Sequence, residues 1–166
     1  KTISFNKIND KKCILYIKEQ KPDVIISFGT GLINKEIINI CPYGIINLHG
    51  GDPQSYRGLD SHLWAIYHKD FSQLIVTLHR LNHKLDDGEI ISQAPIQIKS
   101  HNHLYELRSL NTKVCVELVN SSLAYFNKNG EFESKAQAKI GRYYSFMPSV
   151  LKEISLNNFN RYAKTI

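Results

Sequence analysis

Apolar residues along the chain fall into helical and strand-like rhythms separated by polar punctuation. Cys13, Ile14 and Ile17 recur at helical spacing after Asn9-Asp10, a pair suited to capping. Lys21-Pro22 stops the pattern, which predicts a helix over about residues 10–20. The β-branched run Asp23-Val24-Ile25-Ile26-Ser27-Phe28, bounded by Pro22 and Gly29, has the pattern of a short strand covered on both faces. A second helical stretch lies near 34–40, and Gly44 introduces another apolar run, Ile45-Ile46-Asn47-Leu48-His49. A crossover of just over a dozen residues suits parallel neighbouring strands, so this segment reads as a βαβ unit.

Downstream, Leu63, Trp64, Ile66 and Tyr67 predict a helix within 59–69 that begins at Asp60 or Ser61, with Trp64 in the core. Residues 73–81 alternate Leu74, Val76 and Leu78 with Thr77 and His79, and 89–98 form a second β-rich run across the Leu85–Gly88 turn. Leu104, Leu107, Leu110, Val114, Leu118 and Leu123 predict a long amphipathic helix to about Phe126, ended by Asn127-Lys128-Asn129-Gly130. The expected class is α/β, a mostly parallel sheet flanked by helices over residues 1–126. Residues 127–166 read as a C-terminal appendix of hairpin or helix.

Composition sharpens this picture. A chain of 166 residues with 42% hydrophobic content buries one real core, so one domain is expected. No run approaches the roughly eighteen consecutive apolar residues of a membrane span, and Lys1-Thr2-Ile3-Ser4 starts no leader. Cys13, Cys41 and Cys115 are odd in number and lack CxxC spacing, which fits reduced thiols in a soluble cytoplasmic protein. The opening on Lys1 rather than methionine leads to the expectation that an N-terminal portion of the natural product precedes this chain. The net charge of +6 is compatible with a polyanionic partner, yet the lysines are scattered singly, the pattern of a solvated surface rather than a nucleic-acid site. An anionic small substrate, such as a nucleotide diphosphate, or a polyglutamyl cofactor fits the remaining charge.

Candidate chemistry lies at the strand ends. In open α/β sheets ligands collect at the carboxyl ends of parallel strands. Asn47 and His49 stand at such an end, Gly50-Gly51-Asp52-Pro53 lets backbone approach a ligand, and Tyr56-Arg57-Gly58 closes the loop. A lone histidine there is more often structural. The combination is less ordinary: Asn-x-His at 47–49, Tyr-Arg-Gly with Arg57 eight positions after His49, and Leu85-Asp86-Asp87-Gly88-Glu89-Ile90. In order and approximate spacing it resembles the signature of the folate-dependent formyltransferases, over about residues 8–125.

That resemblance implies a Rossmann-like fold and transfer of a formyl group from 10-formyltetrahydrofolate to an amine. Asn47, His49 and Asp86 would be catalytic. An amine attacking a formyl carbon develops an oxyanion, which the Asn47 amide and His49 can meet as donors, while a carboxylate helps remove the amine's proton. Asp86 takes that part, and Asp87 stands where the family often has threonine. Phe28, Gly29, Thr30, Gly31 and Leu32 would contact the folate, mainly through backbone, opposite His83, Lys84 and Leu85. Gly50, Gly51, Tyr56 and Arg57 fall on the substrate side, Arg57 either holding substrate or folding its loop. Gln54 and Ser55 receive no role.

Departures from the family pattern narrow the acceptor. Many relatives read His-Pro-Ser-Leu-Leu-Pro where this chain has His49-Gly50-Gly51-Asp52-Pro53-Gln54, and the Gly-Gly form resembles the sugar N-formyltransferase branch. The tail is too short for the further domain of tRNA-acting relatives. The expected acceptor is therefore the amine of a nucleotide-linked amino sugar. The alternatives are methionyl-tRNA, hydrolysis of the donor, or a non-catalytic folate- or nucleotide-binding fragment. Tyr143, Tyr144 and Phe146 fit base stacking, a homodimer contact or ordinary packing. Family members carry an initial βαβαβ portion before the segment matching Lys1, which makes the activity of this chain alone a question for experiment. His79, His83, His101 and His103 are numerous, but His101-x-His103 has no third ligand at a defined spacing and the family chemistry uses no metal, so none is expected.

Overall fold

The computed structural model describes residues 2–166. In chain order the elements are α1 (Lys11–Gln20), β1 (Ile25–Phe28), α2 (Lys35–Ile38), β2 (Ile45–Gly50), β3 (Tyr56–Gly58) and α3 (Ser61–Tyr67). They continue with β4 (Ile75–Arg80), β5 (Ile90–Pro95), α4 (Leu107–Asn129), β6 (Arg142–Tyr144) and α5 (Ser149–Ala163). Helix α1 starts after Asp10 and ends where Lys21 turns left-handed and donates its N–H to the Lys18 carbonyl, one residue before Pro22. The Asn34 side chain caps α2 by accepting the Ile37 N–H at 3.0 Å. Asp60 occupies the N-cap position of α3, but its carboxylate reaches instead to the Met147 N–H at 3.0 Å and Lys152 Nζ at 3.6 Å.

The main sheet has the order β1-β2-β4-β5. Strands β1 and β2 are parallel, as the βαβ reading requires, whereas β2–β4 and β4–β5 are antiparallel. The α/β class and flanking helices stand, but the expected parallel majority is corrected to a mixed sheet. For β4–β5 the reason is connection length: β5 follows β4 after a short loop, which joins antiparallel neighbours, while a parallel pair needs a crossover.

Each face of the sheet has its own cover. Ile46, Leu48, Val76 and Leu78 pack beneath Leu107, Cys115 and Leu118 near and along α4. Phe132, Phe159 and Ala163, from the C-terminal segment, join that same core. On the opposite face Ile45 meets Ile14 of α1, Ile33 of the loop before α2 and Ile37 of α2, with Ile25 and Leu81 against them. Each large apolar side chain so buried contributes about 1.5–3 kcal/mol. Coverage of β1 departs from expectation: Ser27 is buried, but Ile26 and Phe28 are 41% and 55% exposed. As an edge strand of the described sheet, β1 is only partly covered on the α4 side, where Phe28 lines an open groove with Cys115, Val116 and Val119.

The C-terminal segment docks on the loop after β2. Strand β6 pairs in parallel with β3, matching Tyr56 with Arg142 and Gly58 with Tyr144. Helix α5 packs on α3, where Asn158 Nδ2 donates to the Ile66 and Tyr67 carbonyls at 3.2 and 3.1 Å and satisfies the helix end. Trp64 donates its indole N–H to the Ser145 carbonyl at 2.9 Å and packs against Tyr144. Among the described residues no helix is long and apolar enough to cross a membrane. Cys13, Cys41 and Cys115 are free and buried.

Candidate active site

Alternation along β2 sends Ile45, Asn47 and His49 to one face. The register sets Ser27 of β1 and His79 of β4 on either side of Asn47, and Thr77 opposite His49. Residues distant in sequence thereby share one patch of sheet. Asp86 reaches the patch from the loop between β4 and β5. Its Oδ2 accepts the Gly58 N–H at 2.8 Å and lies 3.7 Å from His49 Nδ1, while Oδ1 lies 3.8 Å from His79 Nε2. The side chains of His49 and Asp86 are only 7% and 9% exposed, so their interaction is little screened by water. Asn47, His49 and Asp86, singled out from sequence, are thus brought together.

Two supports hold the aspartate. Gly88 passes so close to Arg80 that any Cβ would fall on the Arg80 carbonyl oxygen, which accounts for glycine two positions after Asp86. Gln137, from the C-terminal segment, donates its Nε2 to both the Asp86 and Gly88 carbonyls at 2.9 Å. The imidazole of His49 is held from its other side: Nε2 donates to the Tyr56 carbonyl at 2.8 Å. Nδ1 is therefore the position facing Asp86, and a proton added there makes an imidazolium beside a carboxylate.

Neighbouring titratable groups are shifted by burial. His79 is 2% exposed and its pKa is lowered, chiefly by desolvation, so the ring is neutral. His62 packs against Gly50 and donates Nε2 to the Ile75 carbonyl at 2.6 Å; burial pushes its pKa down to about 4. Tyr56 stacks on Tyr144 and directs its hydroxyl to Asp70, and burial together with that carboxylate pushes it up to about 12. What Tyr56 presents to the site is its carbonyl.

Other residues singled out from sequence spread around this centre. Gly50 lies against the His62 ring, and the Gly51 carbonyl accepts the Thr77 hydroxyl at 2.7 Å, so both glycines pack into the site wall. Arg57 is nearly buried, with Nη2 3.9 Å from Asp87 Oδ1, and its Nε is buried without a hydrogen-bond partner. Lys84 Nζ approaches the other Asp87 oxygen at 3.5 Å, leaving two cations on one carboxylate. Phe28 and Leu32 are 55% and 69% exposed, and Gly29 and Gly31 have open space where a Cβ would stand. Leu85 is exposed, with His83 and Lys84 beside it in the other loop. The two loops are rooted in one apolar cluster, through Ile33 and Leu81. Among the described residues no three His, Cys, Asp or Glu side chains form a group able to hold a metal ion.

Ser27, Thr77, His79 and Gln137 join the site without a signal in linear sequence spacing. The signal available for the first three was strand alternation combined with register; register is invisible in linear spacing.

Comparison with known proteins bears on this geometry. A family model described as formyl transferase matches residues 1–119. The bifunctional polymyxin resistance protein ArnA of Wigglesworthia glossinidia brevipalpis is 34% identical over 126 residues, covering 74% of this chain and 19% of that protein. Methionyl-tRNA formyltransferase of Ehrlichia ruminantium (strain Welgevonden) is 36% identical over 110 residues, covering 63% of this chain and 36% of that protein. The chain thus spans well under half the length of either curated relative. Among solved structures, the formyltransferase PseJ from Anoxybacillus kamchatkensis, in complex with UDP-4,6-dideoxy-4-formamido-L-AltNAc and tetrahydrofolate, superposes with a TM-score of 0.71 at 27% identity. The match covers 87% of this chain and 74% of that one.

Proposed function

Since this chain belongs to the formyl transferase family, we propose that it moves a formyl group from 10-formyltetrahydrofolate to the amine of a nucleotide-linked amino sugar. The observation that carries this reading is the convergence of Asn47 and His49, on one face of β2, with the Asp86 carboxylate that reaches the same patch from the loop after β4. The loops at 28–32 and 83–85 fit a flat heteroaromatic donor: they offer open glycine backbone beside exposed Phe28, Leu32 and Leu85. When bound, the folate supplies the formyl carbon and its nitrogen leaves with the bonding pair.

The residues of the chain supply the rest. As the amine bonds to carbon, Asn47 offers an amide N–H to the oxygen that takes up negative charge; one such donor is worth about 10²–10³ in kcat. The His49–Asp86 pair accepts the amine's proton and returns it to the departing nitrogen, with Tyr56 holding the ring so that Nδ1 stays turned to the carboxylate. Arg57, whose guanidinium stands beside Asp87 in the same loop cluster, is suited to an anionic part of the substrate.

Support for a sugar acceptor comes from PseJ, whose complex contains a UDP-linked formamido sugar, and from the Gly50-Gly51 form of the loop. A second reading, methionyl-tRNA as acceptor, is favoured by the Ehrlichia relative and the charge of +6. Tetrahydrofolate release measured with UDP-amino sugars and with methionyl-tRNA discriminates them. The sugar reading predicts turnover with a sugar and a rate that tolerates salt. Turnover confined to methionyl-tRNA, weakening on the order of a thousandfold between about 50 and 200 mM salt, contradicts it.

A further inference from the structure

Three polar side chains stand side by side across three strands. Ser27 of β1 is the register partner of Asn47 on β2, and Asn47 is the register partner of His79 on β4. Ser27 Oγ lies 2.6 Å from Asn47 Oδ1, Asn47 Nδ2 lies 3.1 Å from His79 Nε2, and His79 Nδ1 lies 2.8 Å from the Arg80 carbonyl oxygen. Ser27 and His79 are 4% and 2% exposed, and the formyl-transfer chemistry derived above uses neither.

This chain of hydrogen bonds has one consistent direction. A carbonyl oxygen only accepts, so His79 Nδ1 carries a proton. In the neutral ring Nε2 is then bare and accepts, which requires the Nδ2 end of the Asn47 amide to face it. The Oδ1 end consequently faces Ser27, whose hydroxyl donates. The Arg80 carbonyl thus dictates, through the imidazole, which end of the Asn47 amide points where. Nδ2 has two N–H bonds, and one of them remains for a ligand. A flipped amide would present oxygen lone pairs to the same place, repelling developing negative charge. His79 stays neutral because it is buried, even though Asp86 Oδ1 lies 3.8 Å from it.

We propose that Ser27 and His79 are positioning residues, clamping the Asn47 amide so that an N–H rather than its carbonyl oxygen meets the formyl oxygen. This inference rests on the reading of Asn47 as the oxyanion donor. Each clamp acts through Asn47, so its loss costs turnover and leaves binding of either substrate in place.

The test compares the unsubstituted full chain with Ser27→Ala and Ser27→Thr for tetrahydrofolate release, with folding checked by circular dichroism. Nitrogen-15 NMR of His79 is read on the same samples. The expected result for Ser27→Ala is a kcat lowered about ten- to a hundredfold, short of the loss from removing a donor outright. Both KM values should stay within about twofold, and Ser27→Thr, which keeps the hydroxyl, should recover most of the rate. His79 should be in the Nδ1–H tautomer. Parental kcat in Ser27→Ala, a loss expressed in KM alone, equal losses in the alanine and threonine variants, or an Nε2–H tautomer would each overturn the proposal. Absence of turnover in the unsubstituted chain would instead count against formyl transfer by this chain alone, while the tautomer still tests the amide's orientation.

Discussion

His49 is pinned between two oxygens. Its Nε2 donates to the Tyr56 carbonyl, and its Nδ1 faces the Asp86 carboxylate. His62, whose ring packs against Gly50, is kept neutral by burial, with its pKa pushed down to about 4 from an ordinary 6.5. That depression makes stability pH-dependent. Below about pH 6.5 the unfolded chain binds a proton that the folded chain refuses until about pH 4, so stability present at neutral pH is lost as pH falls through this window. The contribution is about 3 kcal/mol, and His79, also lowered, acts in the same direction. Urea unfolding at pH 7 and pH 4.5 should show this loss in the parent and a flatter response in His62→Gln, which keeps a donor for the Ile75 carbonyl. An unchanged slope would contradict the assignment. At this scale Asn47, His49 and Asp86 were legible because they recur at recognisable spacing. Ser27 and His79 were not, because their relation to Asn47 exists only across strands.

Strand β6 shows how a short element can shape a site from outside it. By pairing with β3 it fixes the turn at Gly58, whose N–H binds Asp86 at 2.8 Å. Gly58 has φ +92°, and a Cβ there would fall against the Tyr144 carbonyl. Gly58→Ala should therefore cost about 1–3 kcal/mol of stability and lower kcat by disturbing Asp86. Thermal unfolding and steady-state kinetics measure the two effects; a variant with parental kcat would mean that Asp86 does not depend on this pairing. Helices α1 and α4 and strands β2, β4 and β5 were legible from periodicity, since each buries a face that leaves a pattern. The β3–β6 pair was not, being three residues long on each side and joined by contacts far apart in sequence. The parallel majority failed for a related reason, because an apolar run does not record the direction of its neighbour.

Across the whole molecule, one core unites the sheet, α4 and the C-terminal segment, through Phe132, Phe159 and Ala163. The C-terminal segment does more than append: Gln137 braces the Asp86 loop and Tyr144 caps the turn before α3. At the other edge, Ile26 and Phe28 of β1 remain exposed beside a groove lined by Leu48, Val116 and Val119. The α/β class was legible from alternating strands and helices; this uncovered edge was not, because β1 reads locally as a fully buried strand. The account turns on a carboxylate held 3.7 Å from an imidazole in a nearly dry site. The most direct measurement is tetrahydrofolate release from 10-formyltetrahydrofolate and a UDP-linked amino sugar by the unsubstituted chain and by Asp86→Asn. The account predicts turnover in the first and a fall of about 10²–10⁴-fold in kcat in the second, with the fold intact. Equal rates in the two would contradict it.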